Sequence, residues 1–183
     1  SQPERYSILN METASADAKP LLESVQKTIG KVPNMIGTMA NAPLTLRSYT
    51  QLGANVREAG FGPLEQHVIY LTISVENECD YCVAAHSTAL KKAQKVDPAI
   101  VAAIRSGEQT GDHQLDPLIN VVREIVTQKG RVSEAAHDAF ISAGYSKRQL
   151  IDLLSAVAMK TLTNYLDHLT DIKLDDAYVP EAP

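Results

Sequence analysis

The chain has 183 residues, 44% of them hydrophobic, a composition that is ordinary for a soluble globular protein with a substantial core and excludes disorder over the whole chain. Its 17 Lys and Arg residues against 22 Asp and Glu residues give a net charge of -5, and no basic run is longer than Lys91-Lys92. We therefore expect neither nucleic acid nor an anionic membrane as a partner.

No apolar run approaches the roughly 18 residues that a membrane helix needs. The polar start, Ser1-Gln2-Pro3-Glu4-Arg5, also lacks the apolar segment of a signal peptide. These features predict a cytoplasmic protein. In such a reducing compartment, a C-x-x-C motif is more often catalytic or metal-binding than structural.

Apolar residues recur at three- and four-residue steps, and the chain has two Phe and no Trp, which together predict an all-α fold. Helix starts are indicated at Asp97-Pro98, at Asp116-Pro117 and at the capping box that begins with Ser146. No linker divides the chain, so we predict a single domain over residues 1–183. The helices are expected near 17–29, 42–59, 63–76, 80–94, 98–105, 116–129, 133–143 and 147–170, between a loose N-terminal segment and an irregular tail.

The two cysteines of the chain, Cys79 and Cys82, follow the apolar helix 63–76 and open the next predicted helix. A disulfide between them would close almost no loop, so it would add little stability. Unpaired backbone N–H groups at a helix start stabilise a thiolate, and Cys82 gains most if the helix begins near Cys79. The pair is therefore interpreted as a redox or metal site, with inert buried thiols as the alternative.

Cys79, Cys82 and His86 lie at positions i, i+3 and i+7, so one helix face presents all three side chains. We expect His86 to take the proton of Cys82, directly or through a water, so that the thiolate attacks the O–O bond of a peroxide. Cys79 then condenses with the resulting sulfenic acid, and an external dithiol resets the pair.

Several motifs resemble one family. They are Leu64-Glu65-Gln66-His67-Val68-Ile69-Tyr70 with Asn77-Glu78-Cys79-Asp80-Tyr81-Cys82-Val83-Ala84-Ala85-His86, then Gly30-Lys31-Val32-Pro33-Asn34, Asn41-Ala42-Pro43-Leu44, and Gly144-Tyr145-Ser146 leading to Asn164-Tyr165-Leu166-Asp167-His168. Together they resemble the alkylhydroperoxidase D-like branch of the carboxymuconolactone decarboxylase superfamily, with a C-x-x-C core at about 42–105.

The resemblance implies an all-helical, homo-oligomeric fold and thiol-dependent reduction of hydroperoxides without a bound cofactor. It also implies that Cys82 is the peroxidatic cysteine, that Cys79 resolves it and that His86 belongs to a proton relay. A lipoyl or thioredoxin-like dithiol is the implied reductant. Oligomerisation is expected on physical grounds as well, because the apolar helices exceed what one chain of this length readily hides.

One position departs from the family pattern. Where the family has the glutamate that starts the relay, twelve residues before the first cysteine, this chain has His67, and Glu65 lies on a different face of that helix. An imidazole accepts a proton but does not stabilise a neighbouring imidazolium as a carboxylate does.

Two alternatives follow for the site. His67, Cys79, Cys82 and His86 supply the two nitrogens and two sulfurs of a tetrahedral zinc site, which predicts a zinc-binding or redox-sensing protein. Carboxymuconolactone decarboxylase-type chemistry, with His67 or His86 as base, is a third interpretation. For the peroxidase, we expect an apolar pocket lined by the helix around Ile69 and Ile73 and closed by a neighbouring subunit.

Overall fold

The computed structural model describes residues 5–183, and these residues form α-helices, one π-helical turn and one 3₁₀-helix with no β-strand among them. The predicted all-α fold is confirmed. Residues 1–4, on which the expectation of no signal peptide partly rests, lie outside the described part. The elements are α1 (Lys19–Ile29), α2 (Asn34–Met39), α3 (Pro43–Arg57), α4 (Pro63–Glu76), α5 (Asp80–Thr88), the π-helical turn (Ala89–Ala93), α6 (Pro98–Ser106), α7 (Leu115–Thr127), α8 (Glu134–Ser142), α9 (Lys147–Thr170) and the 3₁₀-helix (Asp176–Glu181).

Helix α4 is the centre of the fold, and α5, α6, α7 and α9 pack around it. All residues from Val68 to Ser74 are buried, as expected for a helix that is apolar on every side. The two hydroxyls in this stretch bond within the helix, Thr72 to the carbonyl of Val68 and Ser74 to that of Tyr70, each at 2.7 Å. Helix α4 is thus a fixed support for the residues that follow it.

Two apolar cores lie on opposite sides of α4. Ile69 and Ile73 join one core with residues of α3, α7, α8 and α9, and Val68 and Leu71 join the other with residues of α5, α6 and α7. A third core connects α1, α2 and α3 around Leu22. Among the described helices, none has the length and apolar character that crossing a bilayer requires.

The turn between α4 and α5 is tied to α9. Glu78 adopts a left-handed conformation with φ of 57°, and the N–H of Cys79 donates to the carbonyl of Ser74 at 3.0 Å. The Asn77 amide donates to the Asn164 side chain at 3.0 Å, and the Asn164 amide donates to the Ser74 hydroxyl at 3.2 Å. These contacts fix the start of α5 relative to the face of α9 that carries Asn164.

The structure differs from the sequence prediction in two short helices. Helix α2 was not predicted, and the tail expected to be irregular contains the 3₁₀-helix that packs against α5. Asp175 directly precedes the 3₁₀-helix and connects it to α2 and α5. Its carboxylate accepts the N–H of Asn34 in α2 at 3.2 Å and the hydroxyl of Tyr81 in α5. Helix α2 is therefore capped by a residue that is 141 positions away, which a local sequence pattern does not reveal.

Candidate active site

Helix α5 begins at Asp80, and Cys79 is its N-cap residue. The Sγ of Cys79 accepts the N–H of Cys82 at 3.3 Å, which is the bond that a capping side chain makes to the first turn. Both cysteines are free thiols and are buried, with 0% and 2% of their surface exposed. The pair thus lies at the positive end of α5, where a thiolate is favoured.

Cys82 is the cysteine with the stabilised thiolate. Burial opposes its ionisation, but the hydrogen bond from Cys79, the positive charge of Lys160 and the hydrogen bond from Asn164 outweigh burial and lower the pKa of Cys82 to about 6. At neutral pH the thiolate form therefore predominates, which is the form that acts as a nucleophile.

Cys79 is held in the opposite state. Its hydrogen bond to Cys82, together with burial and the negative charge of Asp167, raises the pKa of Cys79 far above its usual range. Its Sγ also lies 3.4 Å from Asp167 Oδ2, which is placed to accept the thiol proton. Asp167 is itself held by the backbone N–H of Ile172, at 3.2 Å from Oδ1. The structure thus separates a thiolate from a thiol with an adjacent base.

Lys160 is a buried cation at this site, with 4% of its surface exposed. Its Nζ lies 6.0 Å from the centre of the Tyr70 ring, and within residues 5–183 it has neither an ion-pair partner nor a hydrogen bond. A buried ammonium without a carboxylate is rare in proteins and indicates a role with another negative group. The thiolate of Cys82 is the negative group that its charge stabilises here.

His67 and His86 contact each other, with 3.2 Å between their Nδ1 atoms. Burial and the charge of Lys160 lower the pKa of His67 to about 4, and burial, Lys160 and His67 lower the pKa of His86 well below its ordinary value. Both rings are therefore neutral at pH 7. One Nδ1 must donate while the other accepts, so the pair has an N–H at one outer Nε2 and a free lone pair at the other.

Cys82 and the two histidines line a cavity of about 850 Å³. Helix α4 contributes Gln66, His67 and Tyr70 to its wall, whereas Ile69 and Ile73 are fully buried in the core on another side of α4. The predicted helix thus lines the cavity, but Ile69 and Ile73 themselves do not. The apolar character of α4 on every side gave no signal for which face meets the cavity.

The remaining walls come from α1, α2, α3, α5, α9 and the tail of the same chain. The π-helical turn replaces the end of the long helix predicted over 80–94, and its residues Ala89, Lys92 and Ala93 also line the cavity. Turns of this kind occur frequently at functional sites. Cys79 does not line the cavity and lies behind Cys82.

Glu65 is committed to another structural role. One of its carboxylate oxygens accepts the N–H of Gly62 at 3.3 Å, and the other accepts the hydroxyl of Tyr145 at 3.1 Å. These contacts cap α4 at its start. Glu65 does not line the cavity that Cys82 and the two histidines share.

The four residues of the zinc hypothesis are not gathered into one cluster. In residues 5–183, no group of three or more His, Cys, Asp and Glu side chains has an arrangement that could hold a metal ion. The structure brings His67 to His86 and Cys79 to Cys82 as two separate pairs.

Sequence reasoning assigned no role to Lys160, Asn164 or Asp167. The last two lie in a motif quoted for the family resemblance, and Lys160 lies one helical turn before Asn164 on the buried face of α9. A lysine within the apolar stripe of a helix was the available signal, since an unpaired lysine rarely occupies such a position.

Comparison with known proteins agrees with the fold. Residues 43–114 match the model of the carboxymuconolactone decarboxylase family. No curated protein sequence gives a significant match.

Three solved structures have similar folds. The alkylhydroperoxidase AhpD core of an uncharacterized peroxidase-related protein from Ralstonia eutropha is 21% identical, with a TM-score of 0.82 over 97% of this chain and 96% of its own. An uncharacterized peroxidase-related protein from Silicibacter sp. is 20% identical, with a TM-score of 0.78 over 97% of this chain and 96% of its own. The debrominase Bmp8 is 16% identical, with a TM-score of 0.79 over 99% of this chain and 97% of its own. The segment 43–114 is thus similar to the carboxymuconolactone decarboxylase family, and the chain has the AhpD-like fold.

Proposed function

We propose that this protein is an enzyme, a thiol-dependent peroxidase in which Cys82 reduces a hydroperoxide and Cys79 resolves the product. The observation that carries the proposal is the placement of the two thiols: Cys82 lines the cavity, and Cys79 lies behind it against Asp167. The AhpD-like fold supports the same chemistry, since two structures of this fold are described as peroxidase-related.

In the first step the Cys82 thiolate attacks the terminal oxygen of the hydroperoxide. An S–O bond forms, the O–O bond breaks, and the terminal oxygen keeps its hydrogen as Cys82–SOH. The other oxygen leaves as an alkoxide beside Lys160, whose charge stabilises it as it develops. Cys82 is oxidised by two electrons, and the hydroperoxide is reduced to an alcohol once the alkoxide gains a proton.

We assign delivery of that proton to His67 and His86. The ring with the free Nε2 takes a proton from water in the cavity, the proton between the two Nδ1 atoms moves across, and the other ring releases its Nε2 proton to the alkoxide. Neither ring has to be charged at rest, which agrees with their lowered pKa values. On this proposal His67 replaces the family glutamate in the relay and transfers the proton through its imidazole ring.

In the second step Asp167 takes the proton of Cys79, and the resulting thiolate attacks the sulfur of Cys82–SOH. The S–S bond forms as the S–O bond breaks, and the hydroxide that leaves takes the proton from Asp167 to become water. An external dithiol, lipoyl or thioredoxin-like, then returns both cysteines to their reduced state and becomes a disulfide itself. Such cycling fits a reducing compartment, the cytoplasm.

We also propose that the protein is a homo-oligomer. Large apolar side chains on the outer side of α9 remain exposed in the single chain, among them Ile151, Leu154, Tyr165 and Leu169. They follow one another at helical spacing, and a contiguous exposed apolar surface of this kind marks an interaction site. Elution from a size-exclusion column as a monomer would contradict the proposal.

The function is tested by hydroperoxide consumption with a dithiol present. Cys82→Ser should abolish turnover, because serine supplies no thiolate, while Cys79→Ser without the dithiol should react once and stop as the sulfenic acid. If the Cys82→Ser protein consumed hydroperoxide as fast as the wild type, the proposal would fail. Turnover of a lactone acid by the Cys79→Ser, Cys82→Ser double variant would instead support decarboxylase chemistry. Stoichiometric zinc lost in His67→Ala would support the zinc-binding alternative.

A further inference from the structure

The Lys, Arg, Asp and Glu side chains that line the cavity are all basic, although the chain as a whole is acidic. Lys31, Arg57, Lys92 and Lys160 line it, and no Asp or Glu among the described residues does so. The chain as a whole has five more acidic than basic residues. Apart from the Cys82 thiolate, which lies beside Lys160, the charges of the cavity are positive, and such a cavity concentrates anionic ligands.

The four cations occupy two depths. Lys160 is buried beside Cys82, while Arg57 on α3 and Lys92 on the π-helical turn are exposed where they meet the cavity. Lys31 is half-buried, with its Nζ 4.4 Å from the centre of the Tyr178 ring. Lys160 serves the thiolate and the leaving oxygen, so the three outer cations remain for another negative group.

The rest of the lining suits a large organic body. Tyr49 and Tyr178 stay neutral, because the pKa of each is raised to about 12. Burial is the main cause for both tyrosines. The nearby charge of Cys82 adds to it for Tyr49, and that of Asp175 adds to it for Tyr178. Met35 and Ile36 add apolar surface, and the volume of about 850 Å³ lies in the range of pockets for drug-sized ligands and far exceeds hydrogen peroxide.

We propose that the substrate is an organic hydroperoxide that carries a carboxylate at the end remote from its O–O bond. The O–O bond lies at Cys82 and Lys160, the apolar body lies along the tyrosines, and the carboxylate lies between Arg57, Lys92 and Lys31 at the opening. This inference rests on the proposed peroxidase function and names its substrate class. The bond changes are those given above, and the carboxylate takes no part in them.

The test compares the hydroperoxide of linoleic acid with its methyl ester, which differ only in the charge at the remote end. The acid should have a kcat/KM at least about tenfold above that of the ester, because charge complementarity favours its encounter and binding. Arg57→Glu and Lys92→Glu should each lower the value for the acid severalfold more than the value for the ester. Lys27→Glu is the matched control, since Lys27 is exposed on α1 and does not line the cavity. Equal values for acid and ester would overturn the inference.

Binding separates this inference from the peroxidase proposal. Dodecanoate and dodecanamide are titrated calorimetrically into the Cys82→Ser protein, in which no turnover occurs. Tighter binding of dodecanoate, weakened by Arg57→Glu but not by Lys27→Glu, supports the anion-binding cavity even if every hydroperoxide proves inert. Equal binding of the two probes, or a preference for dodecanamide, contradicts it even if Cys82 reduces hydroperoxides.

Discussion

The charge of Lys160 should control the ionisation of Cys82. Replacing Lys160 by methionine removes the charge and keeps a long apolar side chain in the buried position. The nearby positive charge is one of the factors that lower the pKa of Cys82 to about 6, beside the hydrogen bonds from Cys79 and Asn164. Without it, burial opposes the thiolate with less compensation, so the pKa should rise.

The size of the effect follows from Coulomb attraction. Two opposite charges roughly 4 to 8 Å apart attract by about 2 to 4 kcal/mol at an effective dielectric constant of about 20, which corresponds to about 1.5 to 3 pKa units. Lys160→Met should therefore raise the pKa of Cys82 from about 6 to roughly 8. The thiolate fraction at pH 7 would fall from about nine-tenths to about one-tenth, and the rate of alkylation would fall about tenfold.

The assay follows iodoacetamide alkylation against pH in a Cys79→Ser background, which leaves Cys82 as the one thiol of the chain. Lys160→Arg should keep the low pKa because the charge remains. Lys147→Met is the control on the same helix, since Lys147 is exposed at the start of α9. A pKa of Cys82 that stays near 6 in Lys160→Met would refute the electrostatic reasoning.

Three further predictions concern neighbouring groups. The pKa of His67 is lowered to about 4, first by burial, so between pH 6.5 and pH 4 the unfolded chain binds more protons than the folded chain and the free energy of unfolding decreases as the pH falls. Urea unfolding at pH 7 and pH 4.5 should show a smaller loss of stability in acid for His67→Gln, and an equal loss would count against the assignment. Asp167→Asn should slow formation of the Cys79–Cys82 disulfide after peroxide addition but leave formation of the sulfenic acid on Cys82 unchanged. Stopped-flow detection of the sulfenic acid measures both rates. An unchanged rate of disulfide formation would contradict the role of Asp167 as the base. Asp175→Ala should lower the free energy of unfolding by about 1–3 kcal/mol, because Asn34 and Tyr81 each lose a hydrogen-bond acceptor. An unchanged midpoint of urea unfolding would contradict this prediction.

Local patterns predicted the elements whose signals are local. The capping box at Ser146 and the start of α5 next to Cys79 are where the sequence placed them, because caps and N-terminal Pro residues act within one turn. Helix α2 depends instead on Asp175 at the other end of the chain, so its formation is a tertiary effect. The single-domain extent remains a prediction.

The face that α9 buries was the harder feature to predict. Its apolar residues Leu154, Tyr165 and Leu169 fit a helical stripe, yet they are exposed, whereas the polar Lys160 and Asn164 are buried at the site. Hydrophobic periodicity identifies a helix but does not say whether a stripe faces its own core or a second chain. The thiols were therefore found from the sequence, while the groups that set their protonation were not.

The central claim is that Cys82 accepts oxygen and Cys79 resolves it, and a single-turnover trapping experiment tests it most directly. One equivalent of hydroperoxide is added to the Cys79→Ser and Cys82→Ser proteins with dimedone present, and adducts are located by peptide mass spectrometry. We predict one adduct on Cys82 in the first protein, none on Cys79 in the second, and a Cys79–Cys82 disulfide in the wild type. An adduct on Cys79, or hydroperoxide left unconsumed by the Cys79→Ser protein, would contradict the account.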